Sequence, residues 1–90
     1  MGRATRPRPE RLAEKLKAIR LFLGLSQTQM VKRLNYKGRL QASEISEFER
    51  DIKPPPIQLV LCYARTARVS MECLVDDEMD LPRKFTSSKK

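Results

Sequence analysis

The chain has no histidine, and its two cysteines, Cys62 and Cys73, stand with ten residues between them instead of in a C-x-x-C spacing. These absences exclude a zinc-binding constellation and a Cys–His or Ser–His nucleophile pair, and with them histidine-based catalysis. No metal and no cofactor is expected, and no enzyme activity. The longest apolar runs, such as Leu21 to Leu23 and Leu59 to Cys62, fall far short of the roughly 18 residues a membrane span needs. No apolar stretch follows Arg3, Arg6 and Arg8, because Glu10, Arg11, Glu14, Lys15 and Lys17 interrupt it. No export signal is therefore read, and a cytoplasmic, reducing setting is expected in which both cysteines serve as small core residues. Alternating apolar residues, the mark of strands, are also missing, so the expected fold is all-α.

What is present is ninety residues with nineteen Lys plus Arg against eleven Asp plus Glu, a formal charge of +8 at pH 7. That length accommodates one small domain. With 40% hydrophobic and 33% charged residues, the chain falls on the globular side of the disorder boundary. The charge is uneven. Residues 1–71 hold fifteen Lys or Arg and six acids, whereas residues 72–80 hold five acids and no base. A basic block of this kind suits a polyanion, and a phosphate backbone is the commonest one. The acidic segment 72–80 is either a docking surface for a protein partner or a solvated helix end.

The pattern along the chain divides it into a flexible basic N-terminal arm over 1–10, a helical domain over 11–81 and a basic C-terminal tail over 82–90. Leu12, Leu16, Ile19 and Leu23 fall on one face of a first helix, with Pro9 in its first-turn region and Gly24 as its stop. Ser26 and Gln29 make a capping box for a second helix, whose inner face is Met30, Val31 and Leu34 and whose end is Asn35. Tyr36 to Leu40 reads as a basic loop. A third helix fits Gln41 or Ala42 through Arg50, with Ala42, Ile45 and Phe48 inward and Ser43, Ser46, Glu47 and Arg50 outward. Pro54, Pro55 and Pro56 end it. The fourth helix is predicted over Ile57 to Ala67, burying a stripe drawn from Ile57, Val60, Leu61, Ala64 and Ala67. Ser70 caps a brief fifth helix anchored by Leu74. Two short helices joined by a turn, the second with an apolar back and a polar front, suit a helix-turn-helix laid in a major groove.

Three stretches carry a more specific signal: Arg20 to Val31 (R-L-F-L-G-L-S-Q-T-Q-M-V), Ile45 to Arg50 (I-S-E-F-E-R) and Pro55 to Leu74. They resemble the Cro/C1-type helix-turn-helix family, also called the XRE or lambda-repressor-like family, over about Leu12 to Val75. That resemblance implies a five-helix DNA-binding domain whose third helix enters the major groove of double-stranded DNA. It implies a homodimer on a two-fold symmetric site, acting as a repressor-like transcriptional regulator. An antitoxin or other interaction module of the same fold is the alternative.

By the same resemblance, Gln27 matches a phosphate-binding glutamine at the start of the second helix, with Thr28 beside it. Amides and the helix dipole favour an anion there. Gln41, Ala42 and Ser43 match the start of the recognition helix, and Glu47 a later base-facing position, while Ser43 and Ser46 contact either a base or a phosphate. Gln41 either contacts adenine or caps the helix; Glu47 either accepts from cytosine N4 or pairs with a local cation such as Arg50. Arg50 and Lys53 match backbone-contacting positions, with Arg6 and Arg8 of the arm as supplements. Arg20 and Glu49 match a buried structural ion pair. Two features depart from the family. The segment Tyr36-Lys37-Gly38-Arg39 lengthens the usual tight turn, leaving the register of the third helix open and adding Lys37 and Arg39 as phosphate candidates. Asp51 also stands where a glycine usually follows the Glu-Arg pair. The dimer face is sought among Met71, Val75, Met79 and Leu81, which could equally cover the core.

Overall fold

A computed structural model describes residues 9–82; Arg6, Arg8 and the rest of the arm and tail lie outside the described residues. Among these the chain forms five helices and no strand: α1 (Leu12–Leu23), α2 (Gln27–Leu34), α3 (Ala42–Glu49), α4 (Ile57–Ala67) and α5 (Met71–Val75). No helix among the described residues is long and apolar enough to cross a membrane.

The helix ends follow from local chemistry. Gly24 closes α1 in the left-handed region at φ 73°, where a side chain is strained. Ser26 Oγ accepts from the Gln29 amide at 3.1 Å while Gln29 Oε1 accepts from the Ser26 amide at 2.8 Å, completing the capping box of α2. Asn35 ends α2 at φ 51°. Ser70 Oγ accepts from the Cys73 amide at 3.1 Å and starts α5. The start of α1 differs from expectation, because Pro9 lies outside the helix, which begins only at Leu12. The amides of Glu10 and Arg11 donate instead to the Asp77 carboxylate at 2.9 and 3.0 Å. The helix is thus anchored by an acid from the far end of the domain, satisfying donors that would otherwise lack partners.

One core joins all five helices. Leu16 and Ile19 of α1, Met30 of α2, Ile45 of α3, Leu59 and Tyr63 of α4 and Leu74 of α5 are fully buried. Burying each large aliphatic side chain contributes about 1.5–3 kcal/mol. Cys73 belongs to this core, whereas Cys62 is half-buried at its edge.

The stripe of α4 is rotated from the predicted one. Leu59 and Tyr63 are buried beside Val60, Ala64 and Ala67, while Ile57 is 72% exposed and Leu61 is only half-buried. The sequence I-Q-L-V-L-C-Y-A-R-T-A is apolar around most of the helix, so periodicity does not separate neighbouring faces. Packing decides, placing the large Tyr63 ring inside.

Lys15 is the least expected core residue, at 2% exposure. Its ammonium donates to the carbonyl oxygens of Cys73, Asp76 and Met79 at 2.9, 2.9 and 2.7 Å. All three N–H donors of the group are thereby used, and the C-terminal carbonyls of α5 gain a cation. Met71 and Met79 pack against the core and Leu81 is 5% exposed, so of the four residues suggested for a dimer face only Val75 is exposed. Among the described residues the large exposed apolar side chains are Leu21, Phe22, Ile52, Ile57 and Val75.

Candidate nucleic-acid interface

α2 and α3 are neighbours because Met30 and Leu34 share one apolar cluster with Ile45 and Phe48. With Ile45 and Phe48 fixed inward, the 3.6-residue period turns Ser43 and Arg50 to solvent and leaves Ser46 and Glu47 half-exposed. Ala42 is half-buried. Gln41 occupies the position before the first turn, where its backbone N–H donates to Glu44 Oε1 at 3.0 Å. It is a helix-start residue whose exposed side chain stands at the head of this outer face.

α3 carries three glutamates and no cation. Such a helix would repel phosphates unless its charge were balanced from outside. Glu49, its side chain 3% exposed, is gripped by Arg20 of α1 through Nε at 2.7 Å and a second nitrogen at 2.9 Å. The same guanidinium donates to the Leu25 carbonyl at 2.9 Å. The carboxylate beside it holds the Arg20 pKa above its ordinary value. Lys53, from the turn after α3, reaches both Glu44 Oε2 at 3.3 Å and Glu47 Oε1 at 3.4 Å, and lies 5.8 Å over the Phe48 ring. The Gln41 amide and Lys53 together push the Glu44 pKa down, and Glu44 in turn raises that of Lys53. Each glutamate of α3 therefore has a cation at hand.

This arrangement places several expected ligands in local bonds. Lys53, expected on phosphate, bridges two carboxylates, and it is Lys53 that meets Glu47, with Arg50 donating to Ser46 Oγ at 3.2 Å. Gln27 Nε2 donates to Glu49 Oε1 at 3.3 Å, so the glutamine is turned toward the Arg20–Glu49 pair. Thr28 is exposed in the first turn of α2, and Lys37 and Arg39 are exposed in the α2–α3 connection. In that connection the Tyr36 ring lies against Gly38, where an added Cβ would come within 2.7 Å of Tyr36 Cε2. Asp51 adopts the left-handed region at φ 59°, the conformation a glycine would take most easily.

Sequence reasoning misses Lys32 and Arg33, two exposed cations in the last turn of α2. The signal that finds them is an acid-free run: residues 15–43 hold seven Lys or Arg (Lys15, Lys17, Arg20, Lys32, Arg33, Lys37 and Arg39) and no Asp or Glu. Removing the internally bound Lys15 and Arg20 leaves Lys17 and the four cations of the α2 end and its loop. The acidic segment behaves differently. Asp77 accepts from the Glu10 and Arg11 amides, and Arg11 also bonds the Asp77 carbonyl at 2.8 Å and the Asp80 carboxylate at 2.7 Å. Two of the five acids suggested as a docking surface are thus engaged with the start of α1, while Glu72 and Glu78 are exposed.

Comparison with known proteins finds no matching family model, no matching curated protein and no matching solved structure.

Proposed function

We propose that this chain is a sequence-specific, duplex-DNA-binding transcriptional regulator with a Cro/C1-type, lambda-repressor-like helix-turn-helix fold, acting as a repressor-like homodimer without enzymatic chemistry. The observation that carries the reading is the pairing of a two-sided α3 with an acid-free basic run. Ile45 and Phe48 bury one side of the helix, Gln41, Ser43, Ser46 and Glu47 head the other, and exposed cations precede it in Lys32, Arg33, Lys37 and Arg39. In this reading Gln41, Ser43 and Glu47 meet base edges, while the cations and the start of α2 meet phosphate. For Glu47 to accept from cytosine N4, Lys53 must remain on Glu44 or turn to the backbone.

The three glutamates of α3 fit this reading because Arg20 and Lys53 offset two of their three charges before DNA arrives. The Arg20–Glu49 pair ties α1 to the end of α3 and fixes the angle at which the helix is presented. Gln27 adds a third group to that joint, so on binding it either keeps its bond to Glu49 or exchanges it for a phosphate oxygen.

Selection of bound duplexes from a random library tests the proposal. The expected result is enrichment of two similar half-sites with centres about 10 base pairs apart. Failure to enrich any sequence over the starting pool would overturn it, and a single unrepeated half-site would overturn the dimer.

A further inference from the structure

On the flank of the domain, away from the outer face of α3, a cavity of about 470 Å³ opens between the end of α2, the turn that follows it and α4. Leu34, Leu61, Cys62 and the Tyr36 ring supply an apolar floor, while Lys37 and Arg65 supply charge. No Asp or Glu lines it. Neither cation is engaged in an ion pair among the described residues, and both side chains are exposed. The volume lies within the roughly 300–1,000 Å³ typical of small-molecule sites. This cavity is also where the rotated stripe of α4 matters: Leu61 and Cys62, which the packing of Tyr63 leaves outside the core, become its wall.

We propose that the cavity binds an amphipathic anion, a medium-chain or aryl carboxylate or sulfonate, with the head on Lys37 and Arg65 and the apolar body along Leu34, Leu61 and Cys62. An apolar surface with two unpaired cations and no acid is complementary to such a molecule in both parts: burial of the body removes apolar area from water, and the head receives charge-assisted hydrogen bonds. A cationic amphiphile of the same length can bury the same chain, but its head is repelled by Lys37 and Arg65. The site stands independently of the DNA-binding reading. Because its Asn35–Lys37 wall leads directly into α3, occupancy would also engage Lys37, one of the cations offered to phosphate.

The two cysteines make the test internal to the molecule. Cys62 is half-buried in the cavity wall, and Cys73 is buried with its thiol donating to the Asp80 carbonyl at 3.3 Å. Alkylation of the full chain by iodoacetamide is followed at each cysteine by mass spectrometry, with decanoate below its micelle concentration as the probe. Decanoate is expected to slow labelling of Cys62 by about tenfold when present at about ten times its apparent Kd, leaving Cys73 unchanged. Decyltrimethylammonium is expected to give weaker protection, and the double substitution Lys37→Glu, Arg65→Glu is expected to abolish that by decanoate. Equal protection by both amphiphiles would overturn the proposal, as would faster labelling of Cys73, which marks surfactant unfolding. Protection of Cys62 by duplex DNA but not by decanoate would also overturn it, assigning the cavity to a nucleic-acid surface. A titration followed by amide NMR reads the same site without relying on thiol reactivity: shifts clustered at 34–37 and 58–66 are expected, and their absence would overturn the proposal.

Discussion

Residues 15–43 hold seven Lys or Arg and no acid, whereas residues 44–80 hold nine acids against four Lys or Arg. The two regions use their charge in different ways. In the second, Glu49 is bound by Arg20, Glu44 and Glu47 share Lys53, and Asp77 and Asp80 hold Arg11. In the first, the cations of α1 are divided: Lys15 and Arg20 face inward onto carbonyls and Glu49, while Lys17 stays exposed. Beyond α1, Lys32, Arg33, Lys37 and Arg39 all remain exposed. Acids thus serve mainly to hold the domain together, and the basic surplus collects at the end of α2 and in the loop before α3. Net charge alone would not distinguish these roles, since Lys15 and Lys37 count equally in the total.

The contrast can be broken first at its most buried joint. Arg20→Met leaves the Glu49 carboxylate, 3% exposed, without its guanidinium. A loss of about 3 kcal/mol is expected, read as a lower urea midpoint, with much of it recovered in the double variant Arg20→Met, Glu49→Leu. A midpoint equal to the parent's would show that the pair does not tie α1 to α3. Next comes Lys15→Met, which removes a buried donor from three carbonyl oxygens. The expected cost is about 2 kcal/mol, and amide exchange should quicken in α5 and the segment up to Met79 before it does in α2. Uniform quickening would mean that Lys15 supports the whole core and not the docking of α5.

The exposed cations are expected to behave in the opposite manner. Lys37→Ala should leave the urea midpoint unchanged while reducing the slope of log affinity for DNA against log salt by about 1. Ser43→Ala should keep the salt slope and relax preference at one position of the selected site by about 1 kcal/mol. Exchange of these two phenotypes would reverse the division between positioning and reading residues.

The smallest effect concerns pH. The amides of Glu10 and Arg11 hold the Asp77 pKa below its ordinary value, with Lys15 and Arg11 adding to the effect. The folded state therefore favours the ionised carboxylate. Its contribution is complete above the unfolded pKa, about 3.9, and is lost as pH falls through the lower folded value. Asp77→Asn should flatten the decline of the urea midpoint below about pH 5; a decline as steep as the parent's would place the acid sensitivity elsewhere.

Local signals in the sequence were enough to find the helices. Gly24, the Ser26–Gln29 box, Asn35, the prolines before Ile57 and Ser70 act on their immediate neighbours, and their effects are readable without tertiary structure. The interior of α4 was less legible because too many faces are apolar, so the choice between Leu61 and Tyr63 depended on packing partners from other helices. Lys15 could have been found: it sits three residues after Leu12 and next to Leu16 on the buried stripe of α1. Its three carbonyl partners could not, since α5 and the following turn are brought to it only by the fold. The same holds for Asp77 as an anchor for α1. Within the candidate site, the outward direction of Ser43, Ser46 and Glu47 followed from periodicity. The bridging of Glu44 and Glu47 by Lys53 did not, because it depends on how the chain turns after α3.

The central claim is that the outer side of α3, with the start of α2, is the surface that meets DNA. Amide NMR titration of the full chain with a selected duplex tests it most directly. Shifts concentrated at residues 26–29 and 41–50, with the loop cations following, are the predicted result; perturbation confined to α5 and the acidic segment, with α3 silent, would contradict it.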